Sequence, residues 1–288
     1  MKLAIGTVQF GLDYGVANTG GRVAEQEASA ILQRALECGI DTLDTAVAYG
    51  ESETVLGSLG VKQWKTVTKL PAVPDDCLDI DKWVHEQARQ SMARLGVSQL
   101  HGVLLHRPSQ LLAPIGRALH DALQNLKTQG LACKIGISVY SPDELSALFD
   151  TFALDLVQAP LNILDRGLVE SGWAARLHNA GVEVHTRSAF LQGLLLMQSN
   201  QRPGKFNIWS NVWKEWDRWL ACVQLTPLQA CLRYVNALPD VDRVVVGVDT
   251  VAQLDQIVSA SEGQLPSWPE FTPLQDERLI NPASWNQL

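Results

Sequence analysis

No apolar run in this sequence approaches the roughly 20 residues that a membrane-spanning helix needs, so no membrane partner is expected. The opening Met-Lys-Leu-Ala-Ile-Gly-Thr-Val lacks the charged start, apolar stretch and small-residue cleavage site of a signal peptide. Lysine and arginine are scattered rather than massed, and the net charge is −8, which argues against a nucleic-acid surface. The cysteines Cys38, Cys77, Cys133, Cys222 and Cys231 form no C-x-x-C pair and are odd in number. They read as reduced thiols of a cytoplasmic protein, each a small buried apolar residue, rather than as a disulfide framework. The six histidines form no H-x-x-x-H or H-E-x-x-H pair, so a metal site has no support in the sequence.

What is present is a regular alternation over 288 residues, 46% of them hydrophobic. Eight β-rich runs recur along the chain: 2–8, 39–45, 65–70, 101–106, 133–138, 154–159, 182–187 and 242–248. Between them, "AEQEASAILQRALECG", "DKWVHEQARQSMARLG" and "IGRALHDALQNLKTQG" carry apolar residues at three- and four-residue steps and close on glycine, as helix C-termini do. Eight strand–helix units over about 250 residues predict a single α/β domain, a (β/α)8 TIM barrel. A doubly wound open sheet would place G-x-G-x-x-G after its first strand, and "IGTVQFGLDYG" does not fit that pattern. The barrel is expected over residues 1–263. An irregular tail over 264–288, rich in proline and tryptophan, is expected to pack on it.

Barrel chemistry sits where strands end and the following loops begin. The strand-end residues here are Asp44 and the following Tyr49, Lys69, His106, Ser138, Gln158, Arg187 and Gly247. Four of them make chemical sense together. A tyrosine hydroxyl is a poor acid at neutral pH unless a neighbouring cation favours phenolate. Lys69 would supply the cation, Asp44 would hold its ammonium, and His106 would position a carbonyl oxygen. The set is the proton-donating half of a carbonyl reduction. Taken singly, each residue also has a plain structural reading: an ion pair, a solvated strand end, a loop-satisfying histidine, and a tyrosine packed before a helix started by Glu51 or Ser52.

"DTAVAYGESETVLG" (44–57) resembles the D-T-A-x-x-Y-G-x-S-E-x-x-L-G signature of the aldo-keto reductase superfamily. "TKL", "LLHRP", "KIGIS", "VQAPLNILDR", "FLQGLL" and "VVVGVDTVAQL" follow in that family's order, so the resemblance covers roughly residues 3 to 262. It implies NAD(P)H-dependent reduction of a small-molecule aldehyde or ketone, a sugar or sugar derivative among the candidates, or the reverse oxidation. Carried over, Tyr49 is the general acid, Lys69 and Asp44 tune it, and His106 orients the carbonyl. Gly6 and Thr7 lie beside the cofactor, and Ser138 and Gln158 hold the nicotinamide carboxamide. Gln192, Gly193 and Leu194 run along the pyrophosphate, while Gly247 and Gln253 border the adenosine half. Three positions depart from the pattern. Val139 stands where asparagine is usual. Arg187 replaces an aromatic ring, and its guanidinium would stack or bind phosphate. Asp249 takes the place of a residue that contacts a 2′-phosphate, and a carboxylate there would repel one. The cofactor is therefore NADP or NAD, with the preference open. A cofactor-binding regulatory or interaction subunit is the competing function class, kept in view by these three departures. Trp209, Trp213, Trp216 and Trp219 form a helical stripe expected to pack on the barrel, with the 198–208 loop a candidate to line the substrate pocket.

Overall fold

A computed structural model describes residues 2–16, 18, 20–269, 274 and 276–287. Eight parallel strands close in sequence order: β1 (Leu3–Gly6), β2 (Thr42–Asp44), β3 (Lys65–Leu70), β4 (Leu100–Leu105), β5 (Ala132–Ser138), β6 (Leu156–Pro160), β7 (Glu183–Arg187) and β8 (Arg243–Gly247). Closure is made by β1, which pairs with β2 through Gly6↔Asp44 and with β8 through Gly6↔Gly247. The predicted (β/α)8 barrel is the observed fold. The three helices anticipated from periodicity span Glu25–Glu37, Ile80–Leu95 and Gly116–Thr128. The middle one ends at Gly96 (φ 67°), whose left-handed backbone lets Gly96 N–H donate to the Ala93 carbonyl and Val97 N–H to Met92.

Side chains alternate between the two faces of a strand, so the barrel interior is laid down in layers. Val67, Leu104 and Leu156 form a separate buried apolar cluster, each two residues upstream of a strand-end residue: Lys69, His106 and Gln158. This cluster is the floor beneath the polar mouth. The outward faces of the strands join the large core shared with the helices, including Ile5, Leu43, Val103 and Ile137. At the opposite end of the barrel, the Glu183 carboxylate accepts from His101 Nε2 at 3.2 Å, from His185 Nε2 at 2.7 Å and from Lys134 Nζ.

Burial of the cysteines differs from expectation. Cys231 is buried, Cys38 and Cys77 are half-buried, and Cys133 and Cys222 are exposed. Cys133 lies at the start of β5, next to the fully formed part of the barrel, and Cys222 lies in the last turn of the helix Ser210–Val223. That helix buries Trp213, Trp216 and Trp219 in one stripe, with Trp209 buried just before it. Trp209 Nε1 donates to Asp276 at 3.0 Å, and Phe206 meets Trp285 edge-on at 4.9 Å. Those contacts tie the 204–219 segment to residues near the C-terminus. Among the described residues, no helix is long and apolar enough to cross a membrane.

Candidate active site

The segment from Asp44 to Glu53 leaves β2 at the barrel mouth and turns into the helix Ser52–Leu59. Two glycines make the turn possible. A Cβ on Gly11 would fall 1.8 Å from the Tyr49 carbonyl oxygen, and one on Gly50 (φ 56°) would fall 2.7 Å from the Gly11 oxygen. The short helix Val8–Gly11 therefore lies directly against the Tyr49–Ser52 turn. Neither Ser52 nor Glu51 caps the helix with its side chain. Instead the fully buried Ser52 Oγ donates to Thr7 and stands 3.1 Å from Thr45 Oγ1. Glu53, equally buried, accepts from Thr68 Oγ1 at 2.6 Å and pairs with Arg94 at 2.7 Å. The turn that carries Tyr49 is thus fastened to the β1 loop, to β3 and to the helix Ile80–Leu95.

Inside the mouth, Lys69 and Asp44 form a buried ion pair. Lys69 Nζ donates to Asp44 Oδ1 (2.8 Å), Asp44 Oδ2 (2.7 Å) and the Thr45 carbonyl (2.9 Å), with the lysine side chain 1% exposed. Gln158 Nε2 donates to Asp44 Oδ1 at 2.6 Å, and Ser138 Oγ donates to Gln158 Oε1 at 3.3 Å. Burial opposes the charge on Lys69, but the Asp44 carboxylate and interactions with Tyr49 outweigh it, and the lysine is held above its ordinary range. The Lys69 ammonium lies 5.0 Å from the centre of the Tyr49 ring. His106 meets that ring edge-on, with centroids 6.1 Å apart and planes at 81°. Burial first, and then the positive charge of Lys69, push His106 down to about 4, so its imidazole is neutral at pH 7. Asp44, Tyr49, Lys69 and His106 stand together as one cluster.

An open cavity of about 380 Å³ adjoins this cluster. Of the residues expected at a cofactor, it brings together Gly6, Thr7, Arg187, Gln192, Gly193, Gly247, Asp249 and Gln253, alongside Asp44 and Tyr49. Lys69, Ser138 and Gln158 lie buried behind the wall, and Leu194 is buried in the 3-10 turn Leu194–Leu196. Gln158 is engaged by Asp44 and Ser138, so both polar ends of its amide already have partners. Arg187 donates to the Val139 carbonyl at 3.0 Å and lies 4.7 Å from the Tyr140 ring. It therefore occupies the space beside the position where the resemblance expects asparagine. Neither Trp209 nor any described residue of the 198–208 loop lines this cavity.

Gln9, Tyr14 and Ser188 also line the cavity and were not singled out from the sequence. Gln9 lines the cavity with its Oε1 buried and unpartnered. Tyr14 accepts from Gln192 Nε2 at 3.1 Å, joining the loops after β1 and β7 across the cavity. Ser188 and Gln192 at the cavity edge, and the buried Leu191 between them, have positive φ (65°, 53° and 48°), a costly backbone for non-glycine residues. The "SAFLQG" run gives no local signal for such a conformation. The Ser and Glu that follow Tyr49, by contrast, were visible and needed only their partners.

The model of the aldo/keto reductase family matches residues 2–268. Among curated proteins, the chain is 26% identical to the D-threo-aldose 1-dehydrogenase of a Pseudomonas species, over 93% of this chain and 94% of that one. It is 25% identical to the NADH-specific methylglyoxal reductase of Escherichia coli, over 83% and 79%. Among solved structures, the glycerol dehydrogenase of Gluconobacter oxydans superposes with a TM-score of 0.72 at 21% identity, over 92% of this chain and 87% of that one.

Proposed function

This chain belongs to the aldo/keto reductase family, and from that premise we propose that Tyr49 is the general acid that completes reduction of a sugar or sugar-derived carbonyl. Family membership makes the chain an NAD(P)-dependent oxidoreductase acting on carbonyls; the substrate class and the residue roles are the proposal. The relatives named for aldose and methylglyoxal chemistry support a small polar carbonyl substrate.

The observation that carries the assignment is the Lys69 ammonium, buried, tied to Asp44 and facing the Tyr49 ring. As the substrate oxygen gains negative charge, the Tyr49 hydroxyl gives it a proton, and the phenolate left behind faces a fixed cation. Asp44 neutralises Lys69 and holds it in place, so the cation does not have to reorganise during the step. His106, being neutral, offers one N–H to the carbonyl oxygen without surrendering a proton. The apolar floor of Val67, Leu104 and Leu156 keeps water from reaching the ion pair from below.

A dinucleotide suits the adjoining cavity. Gln9 Oε1 and Asp249 Oδ1 are buried acceptors lacking partners at its wall. Gly6, Thr7, Gln192, Gly193, Gly247 and Gln253 would hold it, with Arg187 beside Tyr140. The nicotinamide of NAD(P)H supplies the hydride when bound.

The test is Tyr49→Phe. Turnover of a panel of aldehydes and sugars, followed by loss of reduced-cofactor absorbance, falls by about 10²–10⁴-fold. Cofactor affinity, followed by fluorescence, changes by less than about twofold because the ring is retained. A variant that keeps more than a tenth of the parent turnover refutes the assignment.

A further inference from the structure

Gln158 is fully buried, and its partner in register on β5, Ser138, is 2% exposed. Neither lines the open cavity. Gln158 stands two residues above the floor residue Leu156 on the same face of β6, so its side chain points into the barrel. In the closed barrel β6 lies across from β2, four strands away in either direction. The Gln158 amide crosses that interior and donates to Asp44 Oδ1 at 2.6 Å. A carboxylate only accepts, so the NH2 end of the amide must face Asp44. Ser138 Oγ holds the other end, donating to Gln158 Oε1 at 3.3 Å.

Lys69 reaches Asp44 from β3, the strand next to β2. A carboxylate gripped from that side alone can swing about its own torsions and carry the ammonium with it. A second donor from the opposite wall fixes the plane of the carboxylate. It thereby fixes where the Lys69 charge meets the Tyr49 ring, 5.0 Å from its centre. Gln158 also takes up part of the charge on Oδ1 that would otherwise fall on Lys69 alone. The ammonium is left with more positive charge to support a phenolate.

We propose that Gln158, held by Ser138, is a positioning residue for the proton donor, acting on Tyr49 through Asp44 and Lys69 rather than as a ligand of the cofactor. The inference rests on the reading of Tyr49 as general acid and extends its support across the barrel to β5 and β6. It departs from the carboxamide contact that the resemblance implies for both residues, and the two roles predict different losses.

Gln158→Met keeps the length of the side chain and removes both ends of the amide. Parent and variant are compared on the aldehyde that the parent reduces fastest, from about pH 5 to 10, with fluorescence titration of NADH and NADPH alongside. The variant's kcat is expected to fall by about 10- to 100-fold. The alkaline limb of its pH–rate profile moves up by about half to one pH unit, because proton loss from Tyr49 is less supported. Affinity for both dinucleotides stays within about twofold. Ser138→Ala frees the far end of the amide and moves the limb the same way by a smaller amount, so it carries the test should Gln158→Met not fold. Structural damage alone lowers kcat without moving the limb. A limb that stays within about 0.2 pH unit of the parent's in every variant that folds overturns the inference. So does a loss of more than about tenfold in dinucleotide affinity with the profile intact, which makes Gln158 a cofactor ligand. A Tyr49→Phe protein that retains turnover overturns instead the reading of the acid itself.

Discussion

Asp44→Asn tests the central ion pair most severely. Both carboxylate oxygens act as acceptors, Oδ1 from Lys69 and Gln158 and Oδ2 from Lys69. Whichever way an asparagine amide is turned, its NH2 group faces a donor, either the ammonium alone or the ammonium and the Gln158 amide. Lys69 then keeps the Thr45 carbonyl and one neutral amide oxygen but no counter-charge, at 1% side-chain exposure. Stranding one member of a buried pair costs about 3–5 kcal/mol, or roughly 10 °C in Tm for a chain of this size. The pH dependence carries a distinctive sign. In the parent protein Lys69 is held above its ordinary range, so its contribution is constant below about pH 10 and is lost only as pH rises further. In Asp44→Asn, burial is no longer outweighed and the folded-state value drops below the unfolded one. The folded state then binds fewer protons, and stability rises from pH 7 to pH 10. Urea denaturation across that range, followed by tryptophan fluorescence, reads both quantities. Adding Lys69→Met to Asp44→Asn recovers part of the loss, because no unpaired charge is left. A single variant that loses less than about 1 kcal/mol, or whose stability does not climb with pH, refutes the reasoning.

Other parts of the molecule give sharp expectations. His106, pushed down to about 4, must gain a proton in the unfolded chain as pH falls through 6.5, so stability declines between pH 6.5 and 4. Its share is about 2 kcal/mol after allowing for partial exposure, and ring NMR titration with a His106→Gln control measures it. Asp165, 7% exposed, is pushed up to about 6 by burial and by the nearby Glu277 charge. Asp165→Asn therefore stabilises the protein by about 1–3 kcal/mol at pH 8 and has no effect at pH 4, as chemical denaturation at the two values will report. Glu183 is the acceptor for three donors at the end of the barrel opposite the mouth, and His101, His185 and Lys134 hold it well below the usual carboxylate range against the opposing effect of burial. Glu183→Ala lowers stability by about 3 kcal/mol at pH 7 and removes the part of the acid-induced loss that sets in below about pH 4.3.

Much of the site could be read locally. Strand ends are marked by the change from β-rich runs to turn residues, and in a parallel barrel those ends converge on one rim. Asp44, Lys69 and His106 are therefore neighbours on that rim from the sequence pattern alone. Gln158 was placed at the same rim, but its bond to Asp44 joins residues 114 positions apart, and no periodicity reports such a pairing. Ser52 illustrates the same limit. Its place at a helix start suggested a cap, whereas the packing of Gly11 against the turn directs its hydroxyl back to Thr7. The exposed Cys133 and Cys222 failed a composition-based expectation because burial depends on what packs over a position.

By itself, the sequence determined the order and kind of the elements, the closed barrel they build, and which residue types stand at its mouth. Those properties follow from side-chain period, glycine punctuation and the right-handed strand–helix crossover, all local or nearly so. Tertiary structure alone decided which oxygen of Asp44 meets Lys69 and Gln158, that His106 is neutral, and that the Asp249 carboxylate faces the cavity without a counter-ion. These depend on desolvation and on contacts between distant strands, which exist only once the barrel has closed.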